Sequence, residues 1–295
     1  MRPTTSALAL LALLALLACL APALRPAVSW AQADTLLSYL ADRGLGVPAS
    51  LFGTYLVPRE LVIYPFFEYT LDNDREYQPQ EFGAGPDVDF RGRFRGTSTQ
   101  LFLGYGVSDR IALELELAYV TATLDKSPAD TFPTPATTHE EGLTDIEAQF
   151  RARLMSETAG RPELFSFVEL VARTHPDKVL IGEPYWDAKP GIGLVRGFGF
   201  GTVTLRSALE WNHGEHKLDI GETAVEYLKR VGPAAHLYLA VEVGDGGALD
   251  EWDLITGLRW QIGRSVDFKF DNALGISSKA TDWAPQVGVM FHLPR

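Results

Sequence analysis

Residues 111–119 read Ile-Ala-Leu-Glu-Leu-Glu-Leu-Ala-Tyr, a stretch in which large apolar residues alternate with small or acidic ones. Successive side chains of a β-strand point to opposite faces, so one face of this segment is apolar and the other carries the carboxylates of Glu114 and Glu116. Residues 146–154 repeat the alternation with arginines among the polar positions. Both segments therefore predict strands that are apolar on one side only.

The same alternation recurs along most of the chain, in segments separated by connections of unequal length. Several runs reach the nine or so residues that cross a bilayer at a tilt, whereas strands of soluble proteins commonly have about five or six. Short connections alternate with longer ones, as the periplasmic turns and outer loops of outer-membrane barrels do. We therefore predict an all-β fold, a transmembrane antiparallel up-and-down β-barrel of about twelve strands over residues 59–295. The competing interpretation is a secreted soluble β-sandwich.

The composition excludes several other classes of protein. The 295 residues carry a formal net charge of −12, which disfavours nucleic-acid binding because phosphate contacts need clustered Lys and Arg. One cysteine excludes a disulfide scaffold, and 46% apolar residues exclude a disordered chain. A mean hydropathy near zero excludes a multi-helix membrane protein but leaves a barrel possible, since its strands are apolar on one face only.

The first residues predict export. Arg2 precedes an unbroken apolar run at residues 7–20, and a small-x-small pattern typical of a signal peptidase site follows at residues 31–33. We predict a cleaved signal peptide over residues 1–33 and location in the cell outer membrane. The alternative is a lipobox in which Cys19 is lipidated and retained.

Residues 34–58 form a predicted periplasmic segment between the signal and the barrel. The leucines between residues 36 and 45 fall roughly on one helical face, which allows a short helix. Such a segment folds into the periplasmic mouth of the barrel as a stopper or stays a loose linker. The sequence leaves both alternatives open.

The polar face of the predicted strands lines the lumen, where acidic residues outnumber basic ones. A twelve-stranded barrel lies between the side-chain-filled eight-stranded barrels and the sixteen-stranded channels. The lumen is therefore either a narrow, slightly cation-tolerant path for small solutes or a space closed by its own ion pairs. The predicted lumen-lining residues are Glu68, Glu114, Glu116, Glu147, Arg151, Arg153, Glu169, Arg173, Arg206, Glu210, Glu226, Arg230, Glu242, Arg259, Asp267, Lys269 and Asp271.

Aromatic residues at or near strand ends are predicted to mark the two membrane interfaces, because their rings prefer the level of the lipid headgroups. The predicted girdle consists of Tyr105, Tyr119, Phe200, Trp211 and Trp260.

Catalytic and metal-binding patterns are weak. Ser207 and His213 share a strand face, but six residues of strand separate them by about 20 Å. We therefore predict no catalytic residues and no enzyme, with an outer-membrane lipid hydrolase as the remote alternative. Residues 213–216 (His-Gly-Glu-His) and 72–76 (Asp-Asn-Asp-Arg-Glu) contain ligand types without the spacing of a known site, so we predict no metal and no cofactor.

Residues 101–115, which contain Gly-Tyr-Gly-Val-Ser-Asp-Arg, resemble the first periplasmic turn of outer-membrane barrels of the phenol-degradation (MetA-pathway) and transporter-like family. Residues 66–71, 176–182 and 191–194 are similar to other parts of these barrels. The resemblance spans roughly residues 66–291, and its motifs are turn and strand patterns that many barrels share. It implies a porin-like transporter.

We accordingly predict a passive channel for small molecules, hydrophobic ones included. The alternative function is a structural or accessory barrel with a closed, salt-bridged lumen. The predicted partners are outer-membrane lipid and lipopolysaccharide, the barrel-assembly machinery and a small-molecule solute, but no nucleic acid.

Overall fold

Alternation of apolar and polar residues produces long strands that pair in chain order. The chain is seen in a computed structural model that describes residues 36–175, 177–182, 185–213, 216–244 and 251–294. Its strands are β1 (Val47–Pro48), β2 (Tyr55–Leu56), β3 (Glu60–Tyr77), β4 (Phe90–Gly106), β5 (Ile111–Asp125), β6 (Thr137–Leu143), β7 (Ile146–Met155), β8 (Glu163–Ala172), β9 (Asp187–Phe198), β10 (Gly201–Asn212), β11 (Lys217–Arg230), β12 (Ala235–Val243), β13 (Trp252–Gly263), β14 (Val266–Gly275) and β15 (Trp283–Pro294).

Strands β3 to β15 close into a barrel with a wall of twelve antiparallel strands, as predicted. β6 and β7 are two parts of one wall strand, and both pair with β5. The wall closes where β15 pairs with β3, for example at Val287 and Phe67. Closure satisfies the backbone groups that an open sheet edge would leave unpaired, which is a requirement in hydrocarbon. The soluble sandwich is therefore the wrong interpretation, because one sheet closes on itself instead of two sheets packing together.

The connections divide between the two ends of the barrel by length. Short connections at residues 107–110, 199–200, 231–234 and 264–265, with a longer one at 156–162, define what we call the turn end. The opposite end, the loop end, has the connections 78–89, 126–136, 173–186, 213–216, 244–251 and 276–282. The connection after β10 spans only residues 213–216, because pairing with β11 continues up to Asn212 and Lys217 after an irregularity near Ser207.

The outer face of the wall is an apolar belt. Leu205 pairs with Leu194 on one side and Val225 on the other, and the three side chains are 39–48% exposed. Many further large apolar residues are exposed on the same face. A patch of this extent is unusual on a protein in water and is expected where the surface contacts lipid.

A charge placed in this belt tests its contact with lipid. We expect Leu205→Arg to lower the free energy of unfolding by about 2–4 kcal/mol, the cost of arginine near the middle of a bilayer. Phe200→Arg, in a turn at the end of the barrel, should cost about 0–1 kcal/mol. Urea titrations of both variants folded into lipid vesicles measure this difference. Equal stability of the two variants would contradict contact between the belt and lipid.

The predicted girdle residues lie mostly at the ends of the barrel. Tyr105, Phe200 and Trp260 lie near the turn end, and Trp211 lies at the loop end. Tyr119 lies halfway along β5 and is exposed. Aromatic side chains are therefore present at both ends of the apolar belt.

The predicted signal peptide, residues 1–33, and the alternative lipidation at Cys19 lie outside the described residues. Within the described part of the chain, no helix is long and apolar enough to span a membrane.

Candidate functional site

Residues 36–58 lie inside the turn end of the barrel, and we call this segment the plug. Its β1 and β2 form a small hairpin in which Val47 pairs with Leu56 and Pro48 pairs with Tyr55. The predicted helix is reduced to a single 3-10 turn at Ser38–Leu40, because the following backbone groups are used by the hairpin and by contacts with the wall. Of the two sequence-based alternatives, a stopper and a linker, the structure has the segment in the position of a stopper.

A buried arginine anchors the plug where it enters the barrel. Nη2 of Arg43 donates to Glu157 Oε2 at 3.0 Å and to Glu163 Oε2 at 2.8 Å. Arg153 forms a second ion pair with Glu163, at 3.0 Å from Nε to Oε1. Burial by itself lowers the pKa of Arg43, but Tyr55, Glu163 and the hydrogen bonds to both glutamates raise it above its ordinary value, so the guanidinium stays charged.

Two further contacts fix the same part of the plug. A carboxylate oxygen of Asp42 accepts a hydrogen bond from the backbone N–H of Arg230 at 2.9 Å, and Lys229 Nζ lies 3.3 Å from that oxygen. The backbone of Tyr39 passes directly over Gly197, where a Cβ atom would lie 1.7 Å from the Tyr39 carbonyl oxygen. Only glycine allows the plug to approach the wall so closely.

A methyl group at this position should displace the plug. We expect Gly197→Ala to raise the ratio of open to closed channels on the order of tenfold, because overpacking of about 1–3 kcal/mol destabilises the inserted plug. Gly199→Ala is the matched control, since no atom would lie within 4 Å of its Cβ. Single-channel recordings of both variants measure the open probability. An unchanged open probability in Gly197→Ala would mean that this contact does not hold the plug.

The hairpin ends in a tip, residues 50–53, that points into the middle of the lumen. The Ser50 N–H and hydroxyl both donate to Glu114 Oε2, at 3.0 and 2.6 Å. The Ser50 carbonyl accepts a hydrogen bond from Arg206 Nη1 at 2.6 Å. Both wall residues are buried, so these charge-assisted bonds form away from bulk water.

Gly53, at the other side of the tip, is held in the same way. Its N–H donates to Glu226 Oε1 at 3.0 Å, and its carbonyl accepts from Arg259 Nη1 at 2.7 Å. Between the two held residues, the Phe52 ring lies 4.3 Å from the Arg206 guanidinium and 6.4 Å from the Tyr238 ring. We call these wall residues together the tip seat: Glu114, Arg206, Glu226, Tyr238 and Arg259.

One side of the plug packs against apolar wall residues. Val47 and Leu56 are fully buried in a cluster with Tyr64, Phe66 and Phe102, which point inward from β3 and β4. These inward aromatic residues fill the space that polar side chains line elsewhere. The turn-end half of the lumen is thus packed like a protein core.

Above the plug the lumen opens into two adjoining cavities. The lower chamber, of about 460 Å³, has the tip residues Ser50–Phe52 as its floor. The upper chamber, of about 570 Å³, extends to Val179–Gly182 in the connection that follows β8. Both cavities are bounded by one set of side chains, which we call the junction ring: Glu68, Gln100, Glu116, Glu147 and Lys189.

The junction ring is acidic. Glu116 and Glu147 stand directly opposite each other on β5 and β7, and Glu68 receives hydrogen bonds from the neutral side chains of Thr70 and Gln286. Elsewhere in the lower chamber, Asp271 pairs with Lys269 at 2.6 Å. An excess of carboxylates in an enclosed, low-dielectric space attracts cations and repels anions.

Most predicted lumen residues occupy buried or half-buried positions on the inward face. Glu68, Glu114, Glu116, Glu147, Glu169, Arg206, Glu242, Lys269 and Asp271 line the lower chamber, and Glu210 lines the upper one. Arg151, Arg153, Glu226, Arg259 and Asp267 are buried around the plug. Arg230 offers its backbone N–H to Asp42.

Arg173 is the exception among these residues. β8 ends at Ala172, and Arg173 is exposed in the connection that follows. The strand stops there because the next residue, Thr174, donates its N–H to the Asp145 side chain. The prediction that Arg173 lines the lumen is therefore corrected.

Sequence reasoning also missed several residues of the site. Glu222 lines the lower chamber and pairs with Arg206, but it lies in the first half of β11, where the sequence does not mark clearly where the strand begins. Lys189 has the corresponding position near the start of β9. Both residues lie on the inward face of their strands, at positions that continue the period-two alternation. Arg43 and the tip gave no comparable signal, because the segment has no alternation.

The predicted metal-ligand patterns are only partly assembled. Asp72, Asp74 and Asp282 bring their carboxylates together at the loop end, and Glu76 instead pairs with Arg91. Such acidic groups are common without an ion. His213 and His216 have ring centroids 5.8 Å apart, while residues 214–215 between them lie outside the described part of the chain.

The weak catalytic pair is not assembled either. Ser207 Oγ shares a hydrogen bond of 2.8 Å with Thr223 Oγ1 in the wall. His213 stacks on Trp186 with ring centroids 4.8 Å apart. Each side chain thus has its own neighbours, and the two are not brought into a nucleophile–base arrangement.

Comparison with known proteins relates this fold to outer-membrane barrels. The COG4313 outer membrane channel from Pseudomonas putida F1 is 14% identical with a TM-score of 0.56, and the match covers 83% of this chain and 98% of that one. At this identity the likeness establishes a shared fold. The barrel is therefore of the outer-membrane type.

Other similar structures are more distant. The translocator domain of the autotransporter NalP from Neisseria meningitidis is 11% identical with a TM-score of 0.45, over 79% of this chain and 88% of that one. Outer membrane phospholipase A from Escherichia coli is 13% identical with a TM-score of 0.41, over 80% and 93%. TM-scores below 0.5 are too low to indicate a shared function. No protein-family model and no curated protein sequence matches this chain.

Proposed function

We propose that this protein is a passive channel of the outer membrane for small solutes and that its own plug closes it. The observation that carries the proposal is a polar cavity that leads from the loop end to the tip of the plug inside a closed barrel with an apolar belt. Short turns of such barrels face the periplasm and longer loops face outward. The plug then closes the periplasmic side, and export by the predicted signal peptide belongs to the same proposal.

The nature of the lumen favours polar, cationic solutes. The junction ring has three glutamates and one lysine among its members, and charged side-chain rings of this kind favour cations in channels. Hydrophobic solutes, which the sequence also allowed, gain nothing from such walls. The resemblance to the phenol-degradation and transporter-like barrels supports a small-molecule solute, and lipopolysaccharide and the assembly machinery are proposed partners during insertion.

A structural or accessory barrel is the second candidate. The observation in its favour is the extent of the buried contacts around Arg43 and the tip, which fill the turn-end half of the lumen. In this alternative the plug never leaves, and the chambers are dead ends.

Planar-bilayer recording of the full mature protein tests the channel. We expect brief openings of reproducible size that become longer in variants with a weakened plug. Silence of the wild type and of every plug variant, with each shown to be folded by circular dichroism, would favour the structural barrel.

A further inference from the structure

The tip seat is built to bind a piece of peptide. Two buried carboxylates accept the N–H groups of Ser50 and Gly53, and two buried guanidiniums donate to the carbonyls of the same two residues. Each of the two residues is therefore held at both of its backbone groups. With the tip in place the four charged wall residues are at least nine-tenths buried, so these charge-assisted bonds form away from bulk water.

The side chain between these residues is recognised as well. The Phe52 ring lies over the Arg206 guanidinium, a geometry favourable for a cation–π contact, and near the Tyr238 ring. Gly53 has a φ of 68°, and a Cβ there would lie 3.2 Å from the Tyr238 ring. The seat therefore fits an aromatic residue followed by glycine.

Departure of the tip would leave parts of the seat without their partners. Arg206 keeps its ion pair with Glu222, and Glu114 keeps Arg151 at 3.1 Å. Arg259 loses the Gly53 carbonyl but keeps an ion pair with Asp267 at 3.5 Å, whereas Glu226 loses the hydrogen bond from the Gly53 N–H. A solute that offers an N–H and a carbonyl at the same places would restore these charge-assisted bonds.

We propose that the tip is a built-in copy of the solute and that the tip seat binds short peptides, or amides of the same form, with an aromatic side chain next to a glycine. This inference rests on the proposed channel function and names its solute class. Glu114 and Arg206 of the seat line the lower chamber beside the tip, so a solute that enters from the loop end reaches the seat through the junction ring.

The test uses the full mature protein with Arg43→Ala and Phe52→Ala together, which weakens the plug and leaves the wall of the seat intact. The probe is acetyl-Ser-Leu-Phe-Gly-amide, the sequence of the tip, and the control peptide has alanine in place of phenylalanine. We expect the probe to block the open channel reversibly and to bind in isothermal titration calorimetry. The control peptide should bind about tenfold more weakly or worse, because it lacks the buried ring.

A wall variant shows whether binding occurs in the seat. Adding Glu226→Gln should remove most of the block, because the N–H of the peptide's glycine then meets a neutral acceptor. A conducting channel that neither peptide blocks or binds would overturn the inference and leave the channel function intact. Equal binding of both peptides would also overturn it. Binding of the probe to a silent barrel would support the seat and count against the channel.

Discussion

Replacing Arg43 by alanine should convert a barrel that is mostly closed into one that conducts for much of the time. Arg43 is buried and bridges Glu157 and Glu163. Removing one partner of a buried ion pair commonly costs about 3–5 kcal/mol. If this cost falls on the inserted state of the plug, the ratio of open to closed channels rises by a factor of about a hundred to a few thousand.

Open probability in planar bilayers measures this effect. Arg161→Ala is the matched control, because Arg161 is exposed in the same connection as Glu157 and the substitution is identical. It should leave the open probability unchanged. Arg43→Lys keeps the charge but replaces the guanidinium nitrogen that contacts both glutamates with a more strongly hydrated ammonium group, so we expect an intermediate value. A folded Arg43→Ala barrel that opens no more often than the control would show that the plug is not the gate.

Neutralising the junction ring should abolish most of the cation preference of the open channel. Glu68, Glu116 and Glu147 border both chambers, so every permeating ion passes them. The electrostatic field of such carboxylates raises the local concentration of cations about tenfold or more. Replacing all three by glutamine in the Arg43→Ala background should therefore lower the ratio of potassium to chloride permeability on the order of tenfold.

Reversal potentials under a potassium chloride gradient report this ratio. The control is the triple variant Glu81→Gln, Asp87→Asn and Asp89→Asn, which removes three carboxylates from an exposed connection at the loop end. Its reversal potential should stay close to that of the parent. Because salt screens charges, the difference between the variants should shrink as ionic strength rises. A parent channel that already prefers chloride would refute the acidic ring as the filter.

The wall of the barrel was predictable because the alternation of apolar and polar residues within each strand shows which side chains face outward. In residues 111–119 the alternation alone decides which side chains face lipid, and a shift by one residue would bury the charges in the membrane. The positions of Glu114, Arg151 and Lys269 in the lumen follow from the same parity. Alternation does not mark the residue at which a strand ends. Arg173 therefore lies just beyond the end of β8, and Glu222 lies within β11.

The antiparallel wall, its apolar outer face and its acidic interior can be read from the amino-acid sequence, because they depend on neighbours two residues apart in one strand. The place of residues 36–58 in the lumen, in contrast, is visible only in the folded barrel. The contacts that hold them join positions far apart in the chain, such as Arg43 and Glu163, which are 120 residues apart. A short segment without alternation gives no local sign of such partners, since the groups that bind it come together only when the barrel closes.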